Sequence, residues 1–357
     1  MAISPLVHFV SIDRDSRAVV LTCRGTLGFE DVLTDMLCDY DDLYWQGEAY
    51  QVHKGIHASA RRLLAGLGSR VMATLKAALE EYPNYGLVLC GHSLGGAVAS
   101  VLAILISEPS TVQATGALFV TAPSPKLISH PNHHPASSTV PPVTLPAGRS
   151  IHVYAYGTPA TLSPTLRLAT RGLITTIVNS ADIVPSLSLG MLHDFRSVAL
   201  SLKTDTTGAI NALKTRVWQR ITHALQNVFY VERGPPPPEH IGGDGIGEDT
   251  WAWAALKTLR AGMHNQKLVP PGEIFVVETS RVFNRQSAGS AAAVPDTATE
   301  RVFRSLGRPA TRVQLKLIRD VEARFGELSF GSNMFSDHSP GRYEASLAAL
   351  EKGILEC

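Results

Sequence analysis

Residues 87–106 read LVLCGHSLGGAVASVLAILI, and this stretch decides the fold. Leu87 to Cys90 is a short apolar strand candidate that runs into Gly91, and Leu94 to Ile106 is a small-residue helix apolar almost all round, hence buried. Between them Gly91-His92-Ser93-Leu94-Gly95 forms a G-x-S-x-G in the strand-to-helix context that the motif requires. The serine of such an elbow occupies a strained turn at the strand end. Glycines two residues before and after it remove side chains that would collide with the adjoining strand and helix. Ser93 is therefore read as a nucleophile rather than a structural serine.

A serine hydroxyl is a weak nucleophile at its own pKa, so it needs a histidine base, and that histidine needs a carboxylate to fix its tautomer. On elbow folds the order along the chain is nucleophile, acid, histidine. Asp182 lies just past the strand candidate Ile174 to Val178, in Asn179-Ser180-Ala181-Asp182-Ile183-Val184-Pro185, where a strand's carboxyl end places a site. Its structural alternative is a turn or capping aspartate before Pro185. Among 13 histidines, His338 in Ser336-Asp337-His338-Ser339-Pro340 is the best placed, after the last strand candidate and before a helix starting near Arg342. His193, in a helix about a dozen residues past Asp182, is its rival. The oxyanion formed in acyl transfer needs backbone donors, one being the amide after the nucleophile, Leu94. The second is assigned to Thr26, in Arg24-Gly25-Thr26-Leu27-Gly28 directly after the strand candidate Ala18 to Cys23. An ordinary turn would read the same way locally.

Outward from these residues the pattern alternates strands and helices. Leu6 to Ile12 and Ala18 to Cys23 read as strands. Phe29 to Leu37 and Ala58 to Leu79 carry apolar residues at helical spacing. Ile151 to Tyr156, Ile174 to Val178, Ile274 to Val277 and Val313 to Ile318 are the later strand candidates. The rhythm predicts an α/β class with a mostly parallel central sheet flanked by helices. Two segments interrupt it. Ser129 to Gly148, rich in Pro, His and Ser, reads as a surface loop. Residues 203–271 read as a helical cap inserted within a single domain spanning 1–357. Its helix from Ile210 to Tyr230 puts Leu213, Val217, Ile221, Leu225 and Val228 on one stripe, which either docks on the main domain or faces lipid.

Composition narrows the class. The 357 residues are enough for a sizeable core, and 32 basic against 31 acidic residues give a net charge of +1, too balanced for a nucleic-acid partner or for charge-driven membrane binding. With 45% hydrophobic and 18% charged residues the chain is too apolar for disorder. Cys23, Cys38, Cys90 and Cys357 show no disulfide or zinc spacing, so buried free thiols and no metal are expected. No basic and apolar leader precedes the first strand, and Ala97 to Ile106 is far short of the roughly 20 residues of a membrane span. A cytoplasmic protein, soluble or peripherally bound to membrane, is the expectation.

Four motifs in this order resemble those of the fungal-type class 3 lipases, and most closely those of sn-1-specific diacylglycerol lipases. They are Arg24-Gly25-Thr26 with Asp31 and Asp35, Val52-His53-Lys54-Gly55, Gly91-His92-Ser93-Leu94-Gly95-Gly96, and Asn179 to Pro185. The segment Asp337-His338 with Tyr343 is similar to the family's histidine segment. The resemblance implies an α/β-hydrolase fold and hydrolysis of glyceride acyl esters, diacylglycerol or triacylglycerol, without a cofactor. It implies Ser93, Asp182 and His338 as the triad and the Thr26 and Leu94 amides as the oxyanion hole, with the insertion similar to a regulatory lid. Family members normally carry a further region before the first strand, whereas strand-like sequence begins here within about six residues of Met1, so a catalytic-domain piece or a shortened gene model is expected. A carboxylesterase on small soluble esters and a non-catalytic interaction module remain alternatives.

Overall fold

The computed structural model describes residues 7–25, 39–64, 69–111, 116–124, 143–204, 265–284, 308–327 and 331–355. The helix expected over Phe29 to Leu37, the amide of Thr26, Asp31 and Asp35, most of the Ser129 to Gly148 loop, the inserted helices, Cys38 and Cys357 lie outside them.

Eleven strands are described: β1 (His8–Asp13), β2 (Ala18–Cys23), β3 (Tyr40–Trp45), β4 (Glu48–His53), β5 (Gly86–His92), β6 (Ser107–Pro109), β7 (Phe119–Thr121), β8 (Ile151–Tyr156), β9 (Ile174–Asn179), β10 (Glu273–Asn284) and β11 (Arg308–Leu317). The helices are α1 (Lys54–Leu64), α2 (Ser69–Glu81), α3 (Leu94–Ile106), α4 (Pro164–Ala169), α5 (Leu189–Thr204), α6 (Val321–Phe325) and α7 (Pro340–Leu355). Seven strands form the central sheet in the order β1-β2-β5-β8-β9-β10-β11. The pairs from β2 through β10 are parallel, and β1 and β11 close the two edges antiparallel. This is the α/β-hydrolase fold, a mostly parallel sheet with helices on both faces.

Parallel strands need crossovers, and α3 is the one that shapes this molecule. Every one of its residues is buried, and it lies across β5, β8 and β2. Small residues let it sit close: a Cβ on Gly96 would come within 3.4 Å of the Ala155 Cα. The β5 residues that face it, Leu87 and Leu89, are fully buried with Leu21, Val153 and Ile174 from the neighbouring strands. Each such side chain contributes about 1.5–3 kcal/mol by leaving water. Helices α1 and α2 extend this cluster through Ile56, Leu64, Met72, Leu75 and Leu79. On the opposite face α7 packs against β9, β10 and β11, anchored where Ser346 Oγ donates to Asn179 Oδ1 at 2.8 Å.

Two features differ from the sequence reading. The periodic run over Ala58 to Leu79 is described as α1 and α2, on either side of residues 65–68, and α1 begins four residues earlier, at Lys54. The reason is the cap: His53 Nδ1 accepts from the Ile56 N–H at 3.3 Å, satisfying one of the donors left open at a helix start. The hairpin β3–β4 was unforeseen. Its turn residues Gln46 and Gly47 both have positive φ, 56° and 87°, the conformation of a tight two-residue hairpin turn.

Candidate active site

β5 ends at His92, and Ser93 follows with φ 57° and ψ −130°, a left-handed backbone that a residue with a side chain adopts only under constraint. The constraint is visible. The Ser93 N–H donates to the Tyr156 carbonyl of β8 at 2.8 Å, and its carbonyl accepts from Gly96 and Ala97 as α3 begins. A Cβ on Gly91 would lie 2.5 Å from the Gly95 carbonyl carbon, and one on Gly95 would lie 2.2 Å from the Cys23 carbonyl oxygen. Only glycine permits strand, turn and helix to meet so closely. Gly25, just after β2, presses on the same turn: a Cβ there would lie 2.6 Å from the His92 carbonyl oxygen and 3.2 Å from the Ser93 Cβ.

The residues named from sequence for acid and base roles converge on this turn. His338 Nε2 lies 3.0 Å from Ser93 Oγ, and His338 Nδ1 lies 2.9 Å from Asp182 Oδ2. An ionised carboxylate only accepts, so Nδ1 carries the proton toward Asp182 and Nε2 is left to accept from the serine hydroxyl. Asp182 is itself held from two further sides. The Val184 N–H donates to Oδ1 at 2.9 Å, and the Tyr343 hydroxyl donates to Oδ2 at 2.6 Å. His193, the alternative base, is exposed on α5, and the place facing Asp182 belongs to His338.

The short 3-10 turn Ser336–His338 is pinned to the end of β9. Asn179 Nδ2 donates to the Asp337 carbonyl at 3.0 Å, and the Ala181 N–H donates to the Asp337 carboxylate at 3.2 Å. Burial raises the Asp337 pKa, with the Ala181 N–H and the Arg342 charge working against it. Asn179 and Asp337 thus fix the distance between acid and base without touching either reacting atom. Tyr343 sits fully inside; burial, then the Asp182 charge, raises its phenol well above the usual range, so it stays a donor. The sequence signal for Tyr343 was its place five residues past His338, one turn into α7. Gly157 carried no signal beyond following a strand: with φ +56°, a Cβ there would lie 2.8 Å from both Asp182 Oδ2 and the Tyr343 hydroxyl.

Leu94, whose amide was assigned to the oxyanion hole, opens α3, where the first N–H groups of a helix have no partner within it. Burial pushes the Cys23 thiol up to about 12, and Cys23 and Cys90 are free. Among the described residues no group of three or more His, Cys, Asp or Glu is placed to hold a metal ion. Nor, among them, is any helix long and apolar enough to cross a membrane.

Residues 20–191 match the family of lipases (class 3). The chain is 37% identical to diacylglycerol lipase-beta of Mus musculus over 103 residues, 28% of this chain and 15% of that protein. It is 24% identical to diacylglycerol lipase-alpha of Homo sapiens over 205 residues, 56% of this chain and 16% of that protein. The chain therefore matches only about a sixth of the length of these relatives. Among solved structures, a lipase from Rhizopus microsporus var. chinensis overlaps 50% of each chain at 22% identity, with a TM-score of 0.35.

Proposed function

We infer that this chain, whose residues 20–191 belong to the class 3 lipase family, is a serine lipase that hydrolyses acyl esters of glycerides through an acyl-enzyme. The observation that carries the reading is the continuous hydrogen-bond path from Ser93 Oγ through the two His338 nitrogens to Asp182. In the proposed mechanism Ser93 Oγ bonds to the ester carbonyl carbon as its proton passes to His338 Nε2, and the carbonyl π pair moves onto oxygen. Asp182 keeps Nδ1 protonated and stabilises the imidazolium that forms. The Leu94 amide, and with it the Thr26 amide, receives the oxyanion. The contact of Gly25 with Ser93 and with the His92 carbonyl supports that role, since it brings the chain just before Thr26 against the nucleophile. Proton transfer from Nε2 releases the glyceride alcohol. A water then enters by the same path in reverse and frees the fatty acid.

Diacylglycerol and triacylglycerol are the proposed substrates, reached by peripheral contact with a lipid surface. The similarity to diacylglycerol lipases favours the former. We further propose that residues 203–271 cap the acyl site. Support comes from a clasp between α5, which leads into the segment, and residues 265–267 near its end. Asp194 of α5, fully buried, meets Lys267 Nζ at 2.9 Å and accepts from Asn265 Nδ2 at 2.7 Å.

The test is fatty-acid release from long-chain diacylglycerol, triacylglycerol and a short soluble ester, by the wild type and by Ser93→Ala. Release from diacylglycerol that disappears in the variant supports the reading. Turnover of the short ester alone points to a carboxylesterase. Release that survives Ser93→Ala, or no Ser93-dependent release and no labelling by a fluorophosphonate, overturns it.

A further inference from the structure

The proposed mechanism uses Ser93, His338 and Asp182, yet a second histidine lies against the first. His92, the residue before the nucleophile, lays its ring against His338 with centroids 4.6 Å apart and planes tilted by 39°. The Tyr343 ring meets His92 edge-on at 5.4 Å, and Tyr156, across from His92 on β8, meets Tyr343 edge-on at 6.4 Å. His92 Nε2 is buried without a hydrogen-bond partner among the described residues. The His338 carbonyl also acts on this ring, so His92 offers its neighbour both a polar edge and a face.

The face matters because of what the hydrogen bonds leave undone. His338 is held at its two nitrogens, by Asp182 on one side and Ser93 on the other. Both bonds act in the ring plane, so tilt about the Cβ–Cγ bond, which carries both nitrogens out of that plane, is resisted by whatever lies on the ring face. Such tilt would swing Nε2 off the serine hydroxyl, and misplacements of this kind weaken general-base catalysis steeply. We propose, resting on the serine-hydrolase reading above, that His92 is a positioning residue for His338. Its ring, packed at a tilt against that of His338, fixes the plane in which Nε2 meets Ser93 Oγ and lies against the imidazolium that forms when the serine proton arrives.

For a ring to serve beside a developing cation, it must itself be uncharged. Burial, then the neighbouring His338, holds His92 down to about 4, against the pull of the Asp182 carboxylate and the His338 carbonyl. Among the described residues the Tyr343 phenol ring also packs against it, with Tyr156 paired beside it on β8. Arg24, beyond the end of β2, is exposed to solvent. His92 is thus neutral above a pH of about 4.

Two substitutions separate the ring face from the ring nitrogens. His92→Phe keeps a flat ring and removes every polar atom; His92→Gln keeps a donor and an acceptor and removes the ring. Aromatic contacts of this kind and small losses of alignment together predict that kcat in His92→Gln falls about tenfold or more with KM unchanged. The rate of Ser93 labelling by a fluorophosphonate falls in parallel, and His92→Phe stays within about threefold of wild type in both. A His92→Gln enzyme with wild-type kcat, a His92→Phe enzyme as slow as His92→Gln, or a change confined to KM would overturn the inference while leaving the hydrolase reading intact. Absence of Ser93-dependent labelling and hydrolysis in the wild type would remove both.

Discussion

Asp182 Oδ2 is shared between two donors, since it accepts from both His338 Nδ1 and the Tyr343 hydroxyl. Tyr343→Phe removes one of these bonds and leaves the ring packing in place. We expect kcat to fall about tenfold, with the melting temperature nearly unchanged because the phenyl ring still fills the site. Removing Ser93 or His338 by Ala should cost at least about a thousandfold in kcat, and His193→Ala should be mild. Rates comparable to wild type in Tyr343→Phe would show that Asp182 is oriented by His338 and Val184 alone. Gly157→Ala is the complementary case: its φ of +56° and the 2.8 Å approach to Asp182 and Tyr343 leave no room for a methyl group, so activity and stability should drop together. At this scale the sequence was readable where chemistry requires a residue type in a local motif, as for Ser93, Asp182 and His338. It was silent where the requirement comes from across the fold. Nothing around Gly157 announces that two side chains from β9's end and α7 will converge on it, and His92 looks like the free position of its motif until the His338 ring lies on it.

Element boundaries followed packing more than propensity. The buried helix α3 and the strands β2, β5, β8 and β9 were legible, because their apolar runs are short, continuous and bounded by turn residues. The β3–β4 hairpin was not legible, since Tyr40–Trp45 mixes acidic and aromatic residues, and Gln46-Gly47 is a weaker turn signal than Asn-Gly. β10 and β11 run well beyond the four to six residues their apolar cores suggest, because antiparallel pairing from Phe275 with Leu317 out to Asn284 with Arg308 extends a ribbon past the sheet. The join between α5 and the chain before β10 was also invisible, yet it yields a prediction. Asp194 is completely buried, and its partners are Asn265 and Lys267; burial raises its pKa, but those bonds outweigh burial and leave it lowered. Lys267→Met strands the carboxylate in the interior, with only the Asn265 bonds left. Breaking such a pair costs about 3–5 kcal/mol when fully buried, and somewhat less here because Lys267 keeps 21% of its side-chain surface exposed. A fall in melting temperature in Lys267→Met, partly recovered in Asp194→Asn/Lys267→Met, is the expected pattern in thermal denaturation. Unchanged melting in the single variant would mean that the clasp contributes nothing.

For the molecule as a whole, the near-neutral balance of 32 basic and 31 acidic residues makes global charge repulsion a poor source of pH sensitivity near neutrality. Its buried and half-buried histidines supply one instead. Burial lowers His92 to about 4, and burial likewise lowers His57 and His152, although Asp41 at 2.8 Å from His57 Nδ1 partly opposes the shift. His152 is fixed between the Gly172 carbonyl at 3.2 Å and Thr175 Oγ1 at 3.0 Å on the sheet. The sign follows from linkage. Below a pH of about 6.5 the unfolded chain binds protons that the folded one refuses, so the unfolded state gains and stability falls. The loss continues until each histidine reaches its folded-state pKa and then stops; above about 6.5 neither state is protonated and the term is flat. For His92, whose value moves from 6.5 to about 4, the full effect is on the order of 3 kcal/mol. Melting temperature measured from pH 8 down to pH 4 should therefore be level to about 6.5 and decline below it. In His92→Phe the decline should be visibly shallower, because one of the three proton traps is gone from both states. A wild-type curve that stays level from pH 6.5 to 4, or a His92→Phe curve parallel to it throughout, would show that these rings are hydrated enough to titrate as they do in the unfolded chain.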